Sequence, residues 1–357
     1  MRRLVLLSSL LAAAACGPNF AGVDQLPDGE STDSSDLRHR HDAGTDAGHP
    51  DAGPVIDPCS MTGARTAPLE TFAAPDVAEG PFLDAINSAT HTIKIEMYQF
   101  TNSSIREAVK AKATAGLDVQ VMFDGSQQPV NQTSFDQLQA AGAKVFWSNP
   151  YFTYTHAKFM VVDDTVALIS TGNYDGYMHS GRNFGAIDRD PTDIATLDTI
   201  FQADLDHKAP SIACTRLVVS PQNSRARHLE LIGSAKHTLI IESMQFSDAA
   251  IQNAVLERKQ AGVDVRVLIA APSWVSENTN SGGWLKSNGI PARWRKTPAI
   301  HVKAFVIDGV TTFLGSENLS KTSLDHNREV GVVSTEADDA ALVTDTFETD
   351  WATATDF

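Results

Sequence analysis

Residues 72–100 and 218–246 are two versions of one sequence. FAAPDVAEGPFLDAINSATHTIKIEMYQF and VVSPQNSRARHLELIGSAKHTLIIESMQF align at an offset of 146 (218 − 72), which pairs Pro75 with Pro221, His91 with His237, Glu96 with Glu242 and Phe100 with Phe246. A single long duplication calls for two similar units rather than a solenoid of short repeats. The expected units are residues 61–209 and 210–357. In the first, residues 92–100 are rich in β-branched side chains and read as a strand. Residues 103–114 show the helical spacing of Ile105, Ala108 and Val109 and stop at Gly116. Residues 119–123, 158–162 and 166–170 read as further strands and 192–206 as a closing helix. This alternation predicts an α/β fold on a largely parallel sheet covered on both faces, with the two units packed as a pseudo-twofold pair.

Each unit also carries one short constellation. THAKFMVVDDTVALISTGN holds His156, Lys158 and Asp163, and IHVKAFVIDGVTTFLGSEN holds His301, Lys303 and Asp308. A His and a Lys two apart lie on the same side of a strand. Asn173 and Asn318 each follow their histidine by 17 residues, in a Gly/Ser turn past the next strand. His, Lys and Asn can therefore converge at one end of adjacent strands. Such a set suits a phosphodiester: lysine brings a compact positive charge, and the asparagine amide brings donors to phosphate oxygens. One histidine can act as nucleophile near neutral pH, and a second is needed to protonate the departing alkoxide. Each unit supplies one, so the pair makes one site. Two lysines and two asparagines can neutralise the developing charge, so this logic asks for no metal and no other cofactor.

On these motifs the chain resembles the phospholipase D superfamily, in which paired HKD motifs with downstream Gly/Ser-Asn turns meet across two repeats. The resemblance covers about residues 65–357. It implies two duplicated phospholipase D-like units around one active site and a phosphohistidine intermediate. One of His156 and His301 attacks phosphorus, with His156 favoured; the other protonates the leaving group and then activates water or an alcohol. Lys158, Lys303, Asn173 and Asn318 would hold the phosphoryl group, and Asp163 and Asp308 would be structural. The family often places an acid after the Asn turn to orient the histidine. Glu329 stands there in the second copy, whereas Asn183 stands there in the first. Read within each copy, Glu329 would back His301 and Asn183 would back His156, which would make His301 the more basic imidazole. Asp188 is the alternative acid for the first copy. Glu96 and Glu242, acids inside apolar strands, need buried partners; they read either as supports near the site or as hydrogen-bonded to loop backbone. His91 and His237, at helix-to-strand junctions, read as caps or packing residues.

The rest of the chain bounds where such a site works. Arg2 and Arg3, an apolar run over residues 4–11 and small residues ahead of Cys16 read as an export leader (residues 1–16) with a lipobox-like Cys16 as lipid anchor. The expected location is the bacterial cell envelope, as an outer-membrane lipoprotein, with plain secretion as the alternative. Residues 17–60 read as a disordered low-complexity tether, whose His39, His41 and His49 are solvated. Cys59 and Cys214 either pair in an oxidising compartment or remain separate thiols. A net charge of −16 speaks against a dedicated nucleic-acid partner, since such binding runs on Lys and Arg. Trp147, Tyr151, Phe152 and Tyr154 precede one histidine, and Trp284, Arg293, Trp294, Arg295 and Lys296 the other; they read as ordinary packing or as a rim for lipid or for bases. The first expectation is a monomeric hydrolase of phospholipase D type acting on glycerophospholipids at a membrane surface. A cardiolipin synthase-like transphosphatidylase, a nuclease of the same superfamily and an inactive envelope-binding module are the alternatives.

Overall fold

The computed structural model describes residues 59–148 and 150–357. The readings made of the leader, Cys16 and the tether up to residue 58 lie outside the described residues. The first unit contributes β1 (Glu70–Ala74), β2 (Thr92–Met97), β3 (Asp118–Phe123), β4 (Lys144–Trp147), β5 (Lys158–Val162), β6 (Val166–Ser170) and β7 (Gly181–Asp188). The second contributes β8 (Val218–Ser220), β9 (Thr238–Ser243), β10 (Asp264–Ala270), β11 (Ala292–Arg295), β12 (Ala299–Ile300), β13 (Lys303–Ile307), β14 (Thr311–Gly315), β15 (Glu329–Ser334) and β16 (Thr355–Asp356). One sheet runs β1-β7-β6-β5-β2-β3-β4 and the other β16-β11-β10-β9-β13-β14-β15-β8.

The sheets are mixed, not largely parallel. Only β2-β3, β3-β4, β9-β10 and β10-β11 pair in parallel within the units; β5, β6 and β7, like β13, β14 and β15, run antiparallel. The cause is local. Asp163 and Asp164 take φ of 51°, as Asp308 (φ 53°) and Gly309 (φ 68°) do in the second copy. Left-handed backbone there turns the chain back at once, so the next strand must be antiparallel.

Alternation along β2 shows how each sheet is filled. Ile93, Ile95 and Met97 point to one face, into a core with Phe82, Ile86, Ile105, Val109 and Leu138 from the covering helices. Lys94 and Glu96 point to the other, toward the helix Pro191–Leu205, where Lys94 pairs with Asp198 at 2.7 Å. In β9, Leu239 and Ile241 join Leu231, Ile232, Ile251 and Val255 in a second core, and Glu242 is on the opposite face. Each unit thus has its own apolar interior.

The units are locked by matched, crossed contacts. Arg328 of the second unit reaches Asp204 of the first at 2.6 and 2.8 Å and the Ser220 carbonyl at 2.7 Å. Arg182 of the first reaches Asp350 of the second at 2.7 and 3.2 Å and the Ala74 carbonyl at 3.0 Å. All four ionic residues are buried. The backbone crosses too: β12 pairs in parallel with the start of β7, and Thr155 bridges to Arg328. Cys59 and Cys214 are joined in a disulfide that ties the start of the described chain to the second unit.

Removing one partner of a buried pair strands the other's charge in the interior. Asp204→Asn should destabilise the protein by about 3–5 kcal/mol in chemical denaturation, far above a surface substitution; a loss under 1 kcal/mol would show that Arg328 is rehydrated on losing its partner.

Candidate active site

Lys158 and Lys303 are the first residues of β5 and β13, and each histidine is two residues earlier in an extended stretch gripped by the other unit. The His156 N–H donates to the Arg328 carbonyl at 2.8 Å and the His301 N–H to the Arg182 carbonyl at 3.1 Å. His156, His301, Lys158 and Lys303 are all at least nine-tenths buried. Each ammonium donates to the carbonyl of its own histidine, at 2.6 Å from Lys158 and 2.8 Å from Lys303. Lys303 also donates across the units to the Thr171 carbonyl at 3.2 Å. Two strand starts, two lysines and two imidazoles therefore come together in one buried cluster.

The residues behind the imidazoles are exchanged relative to the within-copy reading. His156 Nδ1 lies 2.8 and 3.0 Å from the carboxylate oxygens of Glu329. His301 Nδ1 lies 2.9 Å from Asn183 Oδ1. The crossing follows from the backbone: the residue whose carbonyl receives each histidine amide, Arg328 or Arg182, directly precedes Glu329 or Asn183. Glu329 is fixed in turn by Asn327 Nδ2 at 2.9 Å and Ser323 Oγ at 2.5 Å, and Asn183 by Thr171 Oγ1 at 3.1 Å. Asp188 does not serve either histidine. It is 3.8 Å from Arg65 beside Asp193, and burial together with the Asp193 charge pushes it up to about 7.

The exchange separates the two imidazoles electrostatically. Burial lowers His156 to about 4 even though the Glu329 carboxylate raises it, and Lys158 adds to the lowering. Burial holds His301 well below the ordinary imidazole value, reinforced by Lys303, Lys158 and His156 and opposed by a backbone hydrogen bond at Thr171. Burial would push Glu329 up, but His156 and Lys158 hold it below the ordinary glutamate value. His156 is thus a neutral imidazole whose Nδ1–H faces a carboxylate, leaving Nε2 as a free lone pair. The negative charge of a phosphodiester between the lysines would raise both histidines.

Asn173 and Asn318 are buried, and the amide oxygen of each has no hydrogen-bond donor. Asp163 and Asp308 are away from this cluster. Asp163 accepts the backbone N–H groups of Thr90, His91 and Thr92 at 2.7–2.8 Å, which hold its carboxyl well below the usual range against the effect of burial. Asp308 does the same for Lys236, His237 and Thr238. His91 and His237 sit in these capped loops. Glu96 and Glu242 are fully buried without a hydrogen-bond donor, so they bond no loop backbone. Burial raises both, and then Asp204 raises Glu96 and Asp350 raises Glu242; they are protonated acids beside the crossed Arg–Asp pairs. Trp147 stacks on Phe135 and Trp284 packs against Phe246, while Phe152 lies under Arg328.

Several site residues carry no motif. Tyr98 meets the His156 ring edge-on at 4.6 Å. Asp124 accepts the Thr155 N–H at 2.5 Å, fixing the residue before His156. Asp175 is 3.4 Å from Asn173 Nδ2. Glu317 sits inside the second Asn turn, where the first copy has Gly172. It is fully buried with neither carboxylate oxygen hydrogen-bonded, wedged where a Cβ on Gly315 would be 2.3 Å from its Oε2. Burial first, and the Glu329 charge second, hold it protonated well above the ordinary range. A group raised by folding contributes stability below its unfolded pKa and loses it as pH rises toward the folded value. Glu317→Gln stays neutral throughout, so its Tm should gain on wild type steadily from about pH 5 to about pH 8. Parallel Tm curves would mean that Glu317 is ionised in the folded protein.

A family profile described as "Cardiolipin synthase, PLD-like domain" matches residues 82–205 and 228–351, one match per unit. The cardiolipin synthase of Clostridium perfringens (strain 13 / Type A) is 23% identical over 304 residues, covering 70% of this chain and 63% of that protein, so the chain spans about three-fifths of that curated relative. Two solved structures share the fold at low identity. A polyphosphate kinase from Porphyromonas gingivalis superposes with a TM-score of 0.63 at 16% identity, over 80% of this chain and 47% of the other. A phosphatidylserine synthase of Haemophilus influenzae Rd KW20 gives 0.60 at 14%, over 80% and 86%.

Proposed function

This chain belongs to the phospholipase D-like family described as cardiolipin synthase, PLD-like domain, whose chemistry acts on phosphodiesters, and we propose that it transfers a phosphatidyl group from a glycerophospholipid to an alcohol through a phosphohistidine on His156. The observation that carries this reading is the 2.8 Å contact from Glu329 to His156 Nδ1, set against the neutral Asn183 behind His301. A carboxylate stabilises the positive charge that grows on an attacking imidazole; an amide only orients the ring. His156 Nε2 attacks phosphorus, and the departing oxygen takes a proton from His301. An acceptor O–H then returns a proton to His301 as its oxygen attacks phosphorus and the P–N bond breaks. Lys158, Lys303, Asn173 and Asn318 hold the phosphoryl oxygens. Hydrolysis, the first expectation from the sequence, is the same route with water as acceptor; likeness to proteins named cardiolipin synthase supports transfer.

Rapid quenching at alkaline pH during turnover of a phosphorus-labelled phosphatidylglycerol should give a labelled peptide containing His156. Label on His301 alone would sink the assignment. Glu329→Gln, which keeps a group opposite Nδ1 but removes its charge, should lower kcat by about 10²-fold or more. Cleavage of single-stranded DNA without lipid turnover would move the substrate to nucleic acid.

The leader carries a further part of the proposal: the protein works at the cell envelope, anchored through Cys16. Mass spectrometry of the mature protein should find a lipid-modified Cys16 at its N-terminus; an unmodified N-terminus would assign plain secretion.

A further inference from the structure

A groove of about 420 Å³ opens beside His301, lined by Tyr177 and Ser180 of the first unit and by Ser273, Trp274, Lys296 and Thr297 of the second. Its position is set by Trp274, whose ring centre is 6.0 Å from that of His301 and which stacks on Tyr177 at 5.6 Å. Ala299, also on its wall, is two residues ahead of His301. His156, by contrast, has the edge of Tyr98 against its ring.

The lining holds donors in excess. Trp274 Nε1–H is buried and has no acceptor. Lys296 is exposed and makes no ion pair among the described residues. Arg295 is occupied by Asp350 and by the Thr297 carbonyl. Hydroxyls of Ser180, Ser273 and Thr297 add further hydrogen-bonding capacity, and no carboxylate is among the lining residues.

In-line displacement gives the location chemical meaning. When His156 attacks phosphorus, the leaving oxygen is on the far side, where His301 protonates it, and the acceptor must arrive by the same door. We propose that this groove is the subsite for the entering and leaving alcohol, and that it selects a small polyol carrying its own phosphate. The assignment rests on the phosphohistidine route with His301 as the acid and base. The polyol hydroxyls meet the serine and threonine hydroxyls, the phosphate meets Lys296 and the Trp274 N–H, and the carbon chain lies on the Tyr177–Trp274 stack. As acceptor, its free O–H gives a proton to His301 while the oxygen forms the new bond to phosphorus and His156 recovers its electron pair.

Binding can be read without turnover. Calorimetry on the full chain should find sn-glycerol 3-phosphate bound at least about tenfold more tightly than glycerol, as expected when a charged group gains a charge-assisted hydrogen bond. Lys296→Met, at an exposed position, should erase that difference and leave glycerol unchanged; Trp274→Phe, which keeps the ring and removes the N–H, should reduce it. Equal affinity for the two ligands, or indifference to Lys296→Met, would overturn the subsite. Displacement of glycerol 3-phosphate by a short single-stranded oligonucleotide at lower concentration would also overturn it, in favour of nucleic acid. Lipid transfer to glycerol and glycerol 3-phosphate at equal rates would remove the subsite and leave the reaction standing. Lys296-dependent binding without any lipid transfer would do the reverse.

Discussion

Everything at the candidate site depends on two short stretches of backbone that cross between the units. Tyr154 to His156 hydrogen-bonds with Arg328, through His156 N–H and Arg328 N–H at 2.8 and 2.9 Å, and Ala299 to His301 lies along Gly181 and Arg182. Backbone hydrogen bonds are directional and hold their residues to a fixed register. They therefore set which imidazole meets which partner. They also place each histidine two residues ahead of the lysine that begins β5 or β13. Neither unit owns a complete half of the site, since each contributes a histidine and the group behind the other's histidine.

Around this seam the fold tolerates an unusual load of buried charge. Arg182 and Arg328 are compensated by Asp350 and Asp204, and Glu96 and Glu242 sit next to these pairs as neutral acids. Isolated charges in such surroundings would be expensive, and here each guanidinium has its carboxylate within 2.7 Å. Their near-perfect match at an offset of 146 shows that the seam is as much a part of the duplication as the strands are. Lys158 and Lys303 are satisfied differently, each donating to the carbonyl of its own histidine.

Much of this was legible in the sequence because it is local. Residues 103–114, 158–162 and 166–170 fold as their patterns predict, since alternation and helical spacing report which face meets the core. The strand read over residues 92–100 ends at Met97 instead, because the chain leaves the sheet to bridge Tyr174. Sheet direction departs from the parallel expectation because it is decided by left-handed turns at Asp163 and Asp308, single residues that leave no mark on the alternating α and β pattern. The exchange of Glu329 and Asn183 was invisible for a deeper reason: a repeat aligns residues within copies, whereas the contact is between copies. Glu317, Tyr98 and Trp274 fall at positions whose counterparts in the other copy are different residues, so the duplication gave no signal for them. The pairing of Cys59 with Cys214, left open by composition, is decided only by where the chain brings them.

The Glu329–Asn183 difference has an implication for why the two units are one polypeptide. Had the same architecture been assembled from two identical chains, symmetry would oblige both imidazoles to be backed by the same side chain, and the two would be electrostatically equivalent. Fusion lifts that obligation. Each copy is free to drift on its own, and a single amide-for-carboxylate difference then gives the pair of imidazoles a front and a back.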